Sequence, residues 1–169
     1  MRGVLLAIFA LLPTTALAGF PFEATLDEMA SSADHILVGR VTGVDMINES
    51  GRQIQDLEAK TGPGLKNQIR LRIAVDKVLI TNSSNVPKIL YIPLASHLHY
   101  TFGQIRDAHA QDSEPRLIFL KGPRFEAIKP GLFMRPLEQK EEALRLHKAS
   151  HQDLRSNNSF KPNPHQGGA

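Results

Sequence analysis

The segment Ala95 to His109 reads ASHLHYTFGQIRDAH and places three imidazoles, His97, His99 and His109, on one short length of chain. Imidazole is the commonest protein metal ligand. On an extended strand, residues i and i+2 point to the same side, so His97 and His99 would stand about 6.6–6.8 Å apart on one face, close enough to share an ion. A third donor is needed, and His109, Asp107 or, just beyond the segment, Asp112 can swing in. Nitrogen and oxygen donors of this kind suit zinc or copper. The expectation is a metal site at His97, His99 and His109 if the rings converge, and a solvated polar loop if they splay.

Other chemistries are narrowed by what the sequence lacks. It contains no Cys, which excludes thiol nucleophiles, Cys-ligated zinc and iron–sulfur clusters, and covalently attached c-type haem. It carries no G-x-S-x-G elbow, Walker loop, H-E-x-x-H or G-x-G-x-x-G, and VGRVTG spaces its glycines wrongly for a phosphate cradle. Ser96 beside His97 is no catalytic pair, because adjacent side chains rarely meet productively. Glu141 and Glu142 diverge on a helix. A serine, histidine and carboxylate that converge only in three dimensions stay open, since such triads are defined by geometry. The sequence reads as a non-catalytic protein.

The N-terminus, MRGVLLAIFALLPTTALAGF, has the three parts of a signal peptide: Arg2, an apolar run from Val4 to Leu12, and an A-x-A site at Ala16-Leu17-Ala18. The apolar run is far shorter than the roughly 20 residues a membrane-spanning helix needs. Residues 1–18 are therefore expected to be removed, leaving a periplasmic or secreted chain that begins near Gly19 and keeps no stable membrane anchor. A histidine brace at the new N-terminus is excluded by Gly19. Without disulfides the mature chain must fold by burial, and it is long enough for a single domain with its own core. A Cys-free exported chain fits a bacterial envelope.

The formal net charge of +3 implies no strong field. Basic residues lean toward the C-terminus, which reads as a solvated end that aids solubility.

Periodicity supplies the elements that would position these groups. Thr25 followed by Glu28 is a capping-box pattern and predicts a short helix from Leu26 to about Ser32. HILVGRVTGVDM is rich in Val and Ile, with Gly39 and Gly43 inside it, and reads as a long strand that bends at its glycines. Residues 47–68 are polar and broken by GPG at 62–64, which reads as a long flexible connection. Ile69, Leu71, Ile73 and Val75 alternate with Arg70, Arg72, Ala74 and Asp76, giving a strand with one core face and one wet face. NSSNVPK turns the chain, and ILYIPLA returns with Pro93 marking an edge or bulge. RLIFLKG at 116–122 is a short buried strand, and RFEAIKPGLFM at 124–134 is a hairpin turning at Pro130-Gly131. From Pro136 a helix follows, acidic first and basic last, with a thin apolar stripe at Leu137, Ala143, Leu144 and Leu146. Residues 152–169 have little to bury and read as a disordered tail.

These elements predict a mainly β domain over residues 19–151: a small curled barrel of five or six strands with a short N-terminal helix and a C-terminal helix. A sandwich is the second choice. The succession SADHILVGRVTGVD, IRLRIAVDKVLI, RLIFLKG and PGLF resembles a loose pattern in small exported bacterial proteins with OB-like β-barrels. The resemblance covers most of residues 30–134 and implies a fold only, because its marks are strand hydrophobes and a strand glycine. The His-rich segment departs from it.

An OB-like barrel with Arg70 and Arg72 on its outer face raises nucleic-acid binding. Export argues against it, and the strand that carries the arginines holds no stacking ring; the arginines read as keeping an exposed sheet face wet. What remains is recognition by shape. The expected function is an exported module that binds an envelope or extracellular protein or glycan through its two long polar loops, 47–68 and 96–114, in the manner of an inhibitor or immunity protein. The competing expectation is a metal-binding periplasmic protein using His97 and His99.

Overall fold

The structure of the chain, a computed structural model, describes residues 24–94, 99–129 and 131–158, with backbone alone for 153–158. The expected leader at 1–18 and the end of the chain from 159 lie outside the described residues, as does His97.

Helix α1 (Leu26–Ser32) starts where the capping pattern places it: Thr25 Oγ1 accepts the Glu28 N–H at 3.1 Å. Only that half of the box forms, because the Glu28 carboxylate pairs with Lys129 instead. Met29 and Ala30 are buried on its inner side.

Strand β1 (His35–Ile47) is the centre of the fold. It pairs antiparallel with β2 (Gln68–Thr81) along its whole length, and with β4 (Arg116–Lys121) over residues 35–39 only. Its pairing with β2 is irregular at 36/37, 38/39 and 41/43, and each irregularity adds twist to the sheet. Gly39 sits at the second of these. A Cβ there would lie 2.6 Å from the Ala74 carbonyl oxygen, so glycine is what allows the two strands to close.

Strand β3 (Ile89–Pro93) adds to the outer side of β2 as an edge strand, the position its proline predicts. On the other side, β4 pairs with both β5 (Glu126–Ala127) and β6 (Met134–Pro136). The turn that joins them is closed by Leu132 N–H donating to Lys129 O at 2.9 Å. The result is a six-stranded antiparallel sheet of order β3-β2-β1-β4-β5, with β6 beside β5 on β4.

The expected barrel is corrected to an open sheet. The sheet curls until β3 comes near β5, but no ladder joins them. β5 offers only two paired residues, and β3 ends in a proline that donates no hydrogen bond.

Two cores lie on opposite faces. On one face, α1 and the C-terminal helix α3 (Lys140–Asn158) pack Met29, Ala30 and Ala143 on Ile36, Val38, Leu117 and Phe119. In the hollow of the curl, Leu37, Val41, Leu71, Ile73, Leu90, Ile92, Ile118, Leu120 and Phe133 pack together. β4 and the first turns of β1 are therefore buried on both faces, which is why RLIFLK and HILV read as continuous apolar runs rather than alternating ones. A 3-10 turn at Leu137–Gln139 leads into α3, which continues to Asn158, seven residues past the expected end of the ordered domain at 151.

Candidate functional site

The polar loops expected at 47–68 and 96–114 are not free. The segment after β1 turns back at once: Asn48 Oδ1 accepts the N–H groups of Ser50 and Arg52 at 3.0 and 2.9 Å, and Ile54 N–H donates to Met46 O at 2.8 Å. Farther on it pairs with the second loop, as Thr61 N–H donates to Tyr100 O and Phe102 and Gly103 N–H donate to Ala59 O and Leu57 O, each at 2.9 Å.

The second loop contains a helix that the sequence reading did not place, α2 (Phe102–Ala108). Its start is a complete capping box: Thr101 Oγ1 accepts Gln104 N–H at 3.2 Å, and Gln104 Oε1 accepts Thr101 N–H at 3.0 Å. The pattern Thr-x-x-Gln was present in TFGQ and could have revealed it. Phe102 then drops between Met46 and Ile69, with Ile54, Leu57 and Ile105 around it, to make a third small core. The two loops form one braced unit at the end of β1 and β2.

Of the expected metal ligands, the described His99 and His109 go to different partners. The His99 ring lies on the backbone of Gly62, and its Nδ1 is 3.3 Å from Thr61 O. His109 ends α2, with Nδ1 3.3 Å from Asp112 Oδ2. Asp112 in turn accepts two N–H groups from Arg116. Asp107 pairs with Arg106. Among the described residues no three His, Asp or Glu side chains gather as metal ligands. His97 lies outside them.

The strongest gathering of exposed chemistry is on the outer face of β1, β2 and β3 around Arg70 and Arg72, a part of the sheet that no described helix covers. Arg70 and Arg72 project here, as the alternation predicts, and register places Asp45 opposite Arg70 and Tyr91 opposite Arg72. Arg70 donates to both carboxylate oxygens of Asp45, Nε to Oδ1 at 2.8 Å and Nη2 to Oδ2 at 2.6 Å. Its guanidinium also lies 4.8 Å from the centre of the Tyr91 ring. The hydrogen bond to Asp45 raises the Arg70 guanidinium above the ordinary arginine value. Arg72 lies over Gly43 and donates to Thr42 Oγ1 at 3.1 Å and Thr42 O at 2.8 Å. It is held against the strand, and among the described residues it has no carboxylate partner. Arg40 pairs with Asp76 at 3.1 Å farther along the same face.

Tyr91 is 47 % exposed and Ile89, two residues before it on the edge strand, is 42 % exposed. A hollow of about 270 Å3 lies among Gly43, Val44, Asp45, Gln53, Arg72 and Tyr91. Gln53 comes from the braced loop, so loop and sheet meet there. A larger hollow of about 360 Å3 beside the start of α3 is lined by Val38, Leu79, Leu137 and the charged chains of Lys77, Glu138, Lys140 and Glu141. It holds no aromatic ring and no set of converging donors.

The sequence reading placed Arg70 and Arg72 on a wet face but found no ring beside them, because it considered their own strand alone. Tyr91 is brought in by the pairing of β2 with β3, a relation fixed by register. No family model matches the chain, and comparison with curated proteins finds no match for it.

Proposed function

We propose that the mature chain is an exported, non-catalytic interaction module that takes a protein partner on the uncovered face of β1, β2 and β3. One observation carries the reading: Tyr91 stands half exposed with Arg70 stacked on it and locked by Asp45. Tyr and Arg are the side chains that most often anchor protein interfaces, and an anchor already held in one rotamer loses less entropy on binding. Ile89 extends the apolar part of the patch, and Arg72, which pairs with no carboxylate among the described residues, offers donors to an acidic group of the partner.

The braced loop borders the patch through Gln53 and is the part of the scaffold best suited to set specificity. Tyr91 also supplies a ring beside the arginines. Arg40 and Arg70 are nevertheless paired with Asp76 and Asp45, which leaves the face too weakly basic to hold a phosphate backbone. We read the curled sheet as an OB-like scaffold, a reading supported by the approach of β3 to β5. An inhibitor or immunity role is one form of this function.

Export is tested by fractionation and N-terminal sequencing, with a mature start near Gly19 expected. The docking face is tested by pull-down from an envelope extract with the mature chain, Tyr91→Ala, Arg72→Glu and the distant control Arg124→Ala. A partner lost with the first two variants and kept by the control supports the reading. Capture insensitive to Tyr91 and Arg72 overturns it, as does binding of a glycan array, rather than a protein, through the same two residues.

A further inference from the structure

His147 and His151 lie four residues apart on α3, and their rings meet edge to face with centroids 4.2 Å apart. Residues at i and i+4 share one helix face. The first ring is already oriented: His147 Nδ1 is 2.9 Å from the carbonyl oxygen of Ala30. A carbonyl only accepts, so Nδ1 carries the hydrogen, and in the neutral ring the lone pair is left on Nε2.

The sequence supplies the reason for that contact. Ala30 lies in the last turn of α1, where carbonyls have no helical partner, and the next candidate donor, Asp34 N–H, is taken by Leu120 O at 3.0 Å. His147 fills the gap from the neighbouring helix. A ring whose N–H is tied to a backbone carbonyl, with the opposite nitrogen bare, is the arrangement in which protein imidazoles bind metal. No described residue hydrogen-bonds His147 Nε2 or either nitrogen of His151.

We propose that His147 and His151 form a two-imidazole site for a divalent transition ion, separate from the His97 and His99 segment. An ion with Zn–N type bonds of about 2.0–2.1 Å needs ring nitrogens roughly 3–3.5 Å apart. Residues at i and i+4 on a helix hold their Cβ atoms about 5–6 Å apart, and ring centroids already 4.2 Å apart place both imidazoles at one spot on α3. Imidazole donors exclude magnesium and calcium, and the affinity order favours copper(II) over nickel(II) and zinc. Two protein ligands leave coordination positions for water or for a donor from a partner.

The test uses the mature chain with copper(II) chloride as the probe, read by calorimetry and by electron paramagnetic resonance. One ion bound with two nitrogen couplings is expected. His151→Ala changes an exposed side chain, and His147→Gln keeps an amide donor for the Ala30 carbonyl, so both variants fold. Loss of an outer partner of a metal ligand costs about 10–100-fold in affinity, and loss of a ligand itself is expected to cost at least as much in each variant. His97→Ala/His99→Ala is expected to leave the ion in place. Absence of binding by the unaltered chain overturns the proposal. So does binding that survives His151→Ala, or binding that is lost only when His97 and His99 are replaced.

Discussion

His35 and Thr81 are joined side chain to side chain across β1 and β2, Nδ1 to Oγ1 at 2.8 Å. His35 is fully buried, and its Nε2 lies 3.0 Å from Gly122 O, just beyond β4. The carbonyl requires a hydrogen on Nε2; in the neutral ring Nδ1 then accepts from the Thr81 hydroxyl, whose oxygen accepts the Ser83 N–H. One ring thus ties the ends of three strands while resting against Phe125 at 4.4 Å between centroids. His35→Ala removes the ring, opens a cavity beside Phe125 and leaves the Gly122 carbonyl with the Phe125 N–H as its one remaining donor among the described residues, and is expected to cost about 2–4 kcal/mol. Urea unfolding checks it: the midpoint falls while the slope stays unchanged.

The Arg70–Asp45 pair is the most protected of the face's ion pairs, with side chains 24 % and 16 % exposed against 46 % and 33 % for Arg40–Asp76. Its bidentate geometry and the Tyr91 ring add to the attraction. A double-mutant cycle is expected to give about 1 kcal/mol for Arg70–Asp45 and less than about 0.5 for Arg40–Asp76. Arg70→Lys loses the fork and most of the stacking, so it recovers little of the coupling. Because the folded-state value for Arg70 is raised by the hydrogen bond to Asp45, its contribution is fully present below the ordinary arginine range and is lost only as pH rises through the raised folded-state value. The coupling measured at about pH 7 and at about pH 9 should therefore be the same; a loss at the higher value would contradict the assignment.

Much of the sheet was legible because burial there follows simple periods. Alternation in IRLRIAV gave the inner and outer faces of β2, Pro93 gave the edge, and Thr25 gave the start of α1. What escaped depends on partners remote in sequence. Tyr91 joins Arg70 only through register, and the loops brace each other only because Leu57 and Ala59 meet Gly103 and Phe102. Closure of the barrel was expected from glycine-bent strands, yet it required a last strand longer than the two residues of β5. The His97-x-His99 spacing assumed a strand; His97 lies outside the described residues, and His99 rests on the turn at Gly62.

That turn yields a separate prediction. Gly62 has φ 138°, and a Cβ there would fall 2.2 Å from His99 Nδ1. Gly62→Ala is expected to destabilise by about 1–3 kcal/mol through combined clash and backbone strain. Gly62→Ala/His99→Ala separates the two causes, since it removes the clash and keeps the strain. Partial recovery in the double variant, read from thermal unfolding, is the expected result. Full equivalence of the two variants would mean that the His99 ring does not rest on this turn.

Phe102 decides whether the loop unit behaves as one body. It is 6 % exposed and packs with Met46 and Ile69, the residues that lead out of β1 and into β2, and with Leu57 and Ala59 from the first loop. Its own helix is only seven residues long, too short to persist without tertiary contacts. Phe102→Ala therefore removes the anchor of α2 and the floor of the first loop together, at a cost of about 2–4 kcal/mol. Thr101→Ala, which loses the cap alone, should cost about 1 kcal/mol. Hydrogen exchange distinguishes a joined unit from two independent loops: in Phe102→Ala, the amides of Thr61, Phe102 and Gly103 should lose protection to the same extent, while those of β1 and β4 near His35 hold. If Thr61 stayed protected while the α2 amides opened, the loops would be independent, and Gln53 would be held at the Tyr91 face by the turn at Asn48 and its pairing with the end of β1.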